Sequence, residues 1–129
     1  MYIYDNFVVN TTDMGNFKVE MHADDEYAKT TIIISRKEIE GLVNNSNVDC
    51  EMIAILIAII RYQRAYAFKN DGQDTTKDIT LTEAFKTKML VVLENYSIEY
   101  LIEIFKDMKY SSVMGIFYRP TAELLDYLK

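Results

Sequence analysis

The stretch from Asp49 to Lys69, DCEMIAILIAIIRYQRAYAFK, constrains the fold more than any other part of this chain. Met52 to Ile60 form an unbroken apolar run. A buried strand can read this way, but the pattern continues through RYQRAYAF without glycine or proline, and that length selects a helix. Asp49 and Glu51 stand at its start and Arg61, Arg64 and Lys69 toward its end, the order that suits the helix dipole. Such a helix spans roughly 30 Å, about the diameter of a small domain. Its first half is apolar all round and must be covered by neighbours on several sides. A membrane span needs about 20 apolar residues, and Arg61 interrupts the run well before that. The reading is a central core helix with no membrane association.

Ala54, Ala58, Arg61 and Ala65 are spaced four, three and four apart and share one stripe of this helix. Small residues let another backbone approach closely, either within the chain or from a second copy. Arg61 then either lays its stem on the core with the guanidinium in water or pairs with a carboxylate. The first is the commoner arrangement, because charges are seldom fully buried.

Upstream, Tyr2 to Val9 is rich in aromatic and β-branched residues and predicts a strand. A turn cluster from Asn10 to Asn16 follows, then Phe17-Lys-Val-Glu-Met, which alternates apolar and polar. Ala23 to Glu26 connects to a third strand, Tyr27 to Ile34. Short connections make the pairing antiparallel, a three-stranded meander. Ser35 and Glu38 have the form of a capping box, and a short helix to about Val43 should turn Ile39, Leu42 and Val43 inward before Asn44-Asn-Ser-Asn47 ends it.

Downstream, Asn70 to Asp78 is a polar loop. Thr80 and Glu83 form a second capping box, opening a helix from about Leu81 to Asn95 with Leu81, Phe85, Met89, Val92 and Tyr96 on one face. Ser97 caps a further helix whose inner face is Ile98, Leu101, Ile102, Phe105 and Met108. Residues 110–119 fit a short helix or a strand, and Pro120 ends whatever forms there. Thr121 then caps a last helix carrying Leu124, Leu125 and Leu128. Strands followed by helices make an α+β chain. The expected architecture is an N-terminal three-stranded antiparallel sheet (1–34) on a C-terminal helical bundle (35–129) around the long central helix, in a single domain.

The net charge of −6 argues against direct nucleic-acid binding, which needs a basic face. It leaves open a partner protein with a basic surface. Cys50 is the only cysteine, which excludes an internal disulfide and fits a reducing compartment. The N-terminal MYIYDNFVVN has neither a basic segment nor a long apolar one, so no signal peptide is expected and the cytoplasm, the host's if the gene is viral, is the expected location.

Chemical motifs are few. His22 lies beside Asp24, Asp25 and Glu26, but ligands this close in sequence rarely converge and no second histidine exists, so no metal site is expected. The loop from Asp71 fails as a calcium hand: its sixth position is Thr76 and its twelfth Thr82, where glycine and glutamate are required. Cys50 starts the central helix, where the dipole favours a thiolate, but no base is placed beside it by the sequence. A packed thiol is the better reading. The four glycines form no phosphate-binding loop, and no nucleophile elbow or HExxH motif is present. No cofactor and no catalytic residue is expected.

Ten tyrosines remain. Tyr62 and Tyr66 stand one turn apart on the central helix beside Arg64, and tyrosine and arginine are enriched at protein interfaces. The other tyrosines are scattered through every element. The run Ile116-Phe-Tyr-Arg-Pro120 resembles small phage accessory proteins over too few residues to carry a family assignment. The expectation is a non-enzymatic protein-binding module: a small acidic inhibitor, immunity or accessory protein of a phage or mobile element. Asp24, Asp25, Glu26, Asp71, Asp74 and Asp78, with Arg61, Arg64, Tyr62 and Tyr66, are its candidate partner-binding residues. The alternatives are a homo-oligomeric structural or assembly subunit, joined through the Ala54/Ala58/Ala65 stripe, and a small enzyme using an unrecognised pair of carboxylates.

Overall fold

The computed structural model describes residues 1–22, 29–70 and 82–106 together with Leu124, Tyr127 and Leu128, the side chains of 29–30 and 62–70 excepted. The fold is α+β, with a four-stranded antiparallel sheet and four helices. The strands are β1 (Tyr2–Tyr4), β2 (Phe7–Thr11), β3 (Phe17–His22) and β4 (Lys29–Ile34), and their order in the sheet is their order in the chain. The helices are α1 (Arg36–Asn44), α2 (Cys50–Asn70), α3 (Glu83–Asn95) and α4 (Ile98–Lys106). The chain divides into two compact units, Met1–Ala58 and Ile59–Lys129.

The sheet has one strand more than the sequence pattern suggested. Tyr2 to Val9 is a hairpin rather than a single strand, with Tyr4 opposite Phe7 and only Asp5-Asn6 between them. Asp5 takes a positive φ of 52°, a conformation that aspartate tolerates better than most residues because its short side chain can hydrogen-bond locally. Asn6 ties the turn to β3: its carbonyl accepts from His22 N–H at 3.0 Å, and its amide Nδ2 donates to the His22 carbonyl. At the next connection Gly15 supplies a φ of 79°. Thr12 closes that loop, donating to the Asn16 carbonyl at 2.8 Å and accepting the Asn16 N–H on its hydroxyl at 3.1 Å.

Residues alternate between faces along each strand. Phe7, Val9, Phe17, Val19 and Ile34 are buried on one face. The register places Thr11 opposite Phe17, Phe17 opposite Ile34 and Val9 opposite Val19. On the other face stand Ile3, Lys18, Glu20, His22 and Ile33. Lys18 Nζ and His22 Nε2 lie 3.6 Å and 3.8 Å from the Glu20 carboxylate between them.

α1 begins as expected at Ser35, whose N–H donates to Glu38 Oε2 at 3.2 Å. It ends at the predicted asparagine-serine cluster, where Asn45 Nδ2 and Ser46 Oγ donate to the carbonyls of Gly41 and Leu42 at 2.8 Å and 2.6 Å. Ile39 and Leu42 are fully buried and Val43 half-buried. Arg36 lies over the Phe17 ring, 4.5 Å from its centroid, and donates to the Gly15 carbonyl at 3.1 Å, so α1 is fastened to the β2–β3 loop.

α2 is the long helix expected from the sequence, and every residue from Met52 to Ile60 is buried. Among the described residues no helix is long and apolar enough to cross a membrane. Ala54 and Ala58 are wholly buried within the chain. That part of the small-residue stripe is covered by the chain itself. Ala65 carries no described side chain.

α3 starts two residues later than the capping-box pattern predicted. Its cap is Thr82, not Thr80: the Thr82 hydroxyl accepts from Phe85 N–H at 3.1 Å. This start leaves Glu83 in the first turn, where its carboxylate meets the positive end of the dipole. Phe85, Met89 and Val92 are buried as expected. Tyr96 is not: it is the extended C-cap of α3 and lies 41% exposed. In α4, Ser97 caps as predicted, accepting Tyr100 N–H at 3.2 Å. Ile98, Leu101, Ile102 and Phe105 are buried, joined by Ile104, which the sequence reading left off the inner face. Leu124 and Leu128 are helical and buried, as expected, and Tyr127 is exposed. The readings for Leu81, Met108 and residues 110–119 lie outside the described residues.

Candidate functional site

The surface with the most distinctive chemistry lies where α3 ends and α4 begins. A helix terminates at Tyr96 because that residue turns extended, its N–H closing on the Val92 carbonyl at 3.0 Å. One residue later Ser97 opens the next helix. The short reversal holds Tyr96 and Tyr100 side by side. Their rings stack with centroids 5.7 Å apart and planes 15° from parallel. Tyr100 is 37% exposed, so both rings keep contact with water.

Three carboxylates share this region. Glu94 in the last turn of α3 and Glu99 in the first turn of α4 are exposed. Glu103 is exposed one turn further on and pairs with Lys106 at 3.0 Å. Glu99 suits the helix start it occupies. Glu94 does not: it stands at the negative end of α3, and no basic residue occupies that last turn. The carbonyl end of α3, the two tyrosine rings and the exposed Glu94 and Glu99 therefore bring negative potential together within one short stretch of chain. Elsewhere on α3, Lys88 Nζ lies 6.0 Å from the centroid of the exposed Tyr127 ring.

The residues singled out from the sequence fare differently. Arg61 is half-buried, with Nε shielded from water. Tyr62, Arg64 and Tyr66 lie on α2 at positions whose side chains are not described. Asp24, Asp25, Glu26, Asp71, Asp74 and Asp78 lie outside the described residues. His22 ends β3 and is exposed. Among the described residues no three acidic, histidine or cysteine side chains converge in a way that could hold a metal ion. Cys50 is half-buried with Sγ 3.2 Å from Glu51 Oε2. Burial first, and the Glu51 hydrogen bond and charge next, push its thiol above the ordinary 9.0. That direction is opposite to the one the helix dipole favours.

In the sequence nothing in the composition around Tyr96 and Tyr100 sets the pair apart from the other tyrosines. The signal that finds it is a spacing of one helical turn straddling a serine cap, which puts the first ring on a helix end and the second on the turn that follows. Compared with known protein families, curated proteins and solved structures, the chain matches none.

Proposed function

We propose that this chain is a non-enzymatic protein-binding module, a small acidic accessory, inhibitor or immunity protein that engages another protein through the surface around Tyr96 and Tyr100. The observation carrying the reading is the stacked, water-exposed tyrosine pair. Tyrosine offers a large amphipathic contact area with few torsions to freeze, and it is enriched where proteins meet. The pair is held by a helix cap on either side, so little ordering remains to be done on binding. Action in the cytoplasm on a host protein, on behalf of a phage or mobile element, belongs to the same proposal.

The test is a tagged pull-down from the source cell's lysate, run in parallel with a Tyr96→Ala/Tyr100→Ala variant. One stoichiometric partner held by the native chain and lost by the variant is the expected result. Recovery of the chain alone, at low and at physiological salt, overturns the reading.

A further inference from the structure

We infer that the occupant of the Tyr96–Tyr100 surface is an arginine-bearing basic segment of a partner protein. The inference rests on the protein-binding reading and adds the chemistry of the partner. Aromatic faces attract a guanidinium through their quadrupole. The carbonyl end of α3 carries a partial negative charge. Glu94 and Glu99 add full charges within the same few turns of chain, and the net charge of the whole protein, −6, favours the same sign of partner. Glu94 is the pointed observation. An acid at a helix C-terminus opposes the dipole of its own helix, and α3 holds no base in that turn to offset it. A cation docked over Tyr96 would offset that opposition from outside. Arginine fits better than lysine. Its planar, weakly hydrated guanidinium stacks on a ring while its remaining N–H groups reach carboxylates at the side, whereas an ammonium is a compact and strongly hydrated point charge.

The probes are an octa-arginine and an octa-lysine peptide, titrated into the full-length isotope-labelled chain and followed by amide chemical shifts. The expected result is shift changes centred on residues 94–103, with the arginine peptide bound about two- to fivefold more tightly. Tyr96→Leu/Tyr100→Leu should abolish that preference, and Glu94→Gln/Glu99→Gln should weaken both peptides and flatten the salt dependence. The glutamines replace exposed side chains, so this second variant tests the inference even if the leucine variant fails to fold. Shift changes spread over other acidic segments, or equal affinity for the two peptides in the native chain, overturn the inference. A captured partner that still binds the glutamine variant undiminished overturns it too, while leaving the protein-binding reading standing. Arginine-selective binding at 94–103 with no partner recovered from lysate overturns the broader reading instead.

Discussion

Ile33 and Ile34 offer a direct test of the sheet register, because they are the same residue at adjacent positions with opposite surroundings. Ile34 is 0% exposed and faces the core opposite Phe17; Ile33 is 50% exposed on the other face opposite Lys18. Ile34→Ala removes buried methyl and methylene groups and leaves a void, a change that costs about 2–5 kcal/mol. Ile33→Ala removes the same atoms from a site half in water. No cavity forms, and the loss reduces to partial transfer and strand preference, about 0.5–1 kcal/mol. The two variants have nearly identical unfolded chains, so effects on the denatured state largely cancel in the comparison. With a urea slope of about 2 kcal/mol per molar for a protein of this size, the midpoints should differ by about 1 M, Ile34→Ala being the lower. Far-ultraviolet circular dichroism is the suitable probe, since the chain has no tryptophan. Equal midpoints, or a lower one for Ile33→Ala, refute the reasoning: a slip of one residue exchanges every side chain between the faces.

Two further predictions concern local structure. Thr82→Ala removes the hydroxyl that accepts Phe85 N–H and should cost about 1 kcal/mol in the same denaturation assay, while Thr82→Ser, which keeps the hydroxyl, should cost much less; equal losses would contradict the cap. The rate of Cys50 labelling by a thiol reagent should rise with pH through a midpoint above 9.0, and Glu51→Gln should lower that midpoint; a native midpoint at or below the ordinary value contradicts the raised thiol. The folded thiol holds its proton more tightly than the unfolded one, so this contribution to stability is complete below the ordinary value and is lost as pH rises through the folded one.

The long helix was legible because length and an all-round apolar run leave a chain few choices. The caps at Ser35 and Ser97 and the inner face of α4 were legible for the same reason: hydroxyl, spacing and periodicity agree. Where two signals competed, the sequence was ambiguous. Thr80 and Thr82 both precede the same acid, Glu83, and only the geometry of the first turn selects the second. Tyr2 to Val9 reads as one strand by composition, because the turn inside it is made by Asp5 and Asn6 alone, without a glycine to mark it. The apolar side of the Ala54/Ala58 stripe was visible, but whether it meets its own chain or another is a tertiary question that spacing does not answer. The tyrosine surface was hidden for the opposite reason. Its members belong to different helices and meet only because the chain reverses at Tyr96.

The sheet joins each strand to its neighbour in sequence, and its first two connections are short, two residues and five. Closing such loops sacrifices little chain entropy, and contacts between near neighbours form early and fast. During synthesis the N-terminal residues emerge first. The hairpin at Asp5-Asn6 and the turn at Gly15 can therefore zip up on the ribosome while the apolar run of α2 is still being made. The nascent chain would then hold a folded sheet ready when its most aggregation-prone segment enters water.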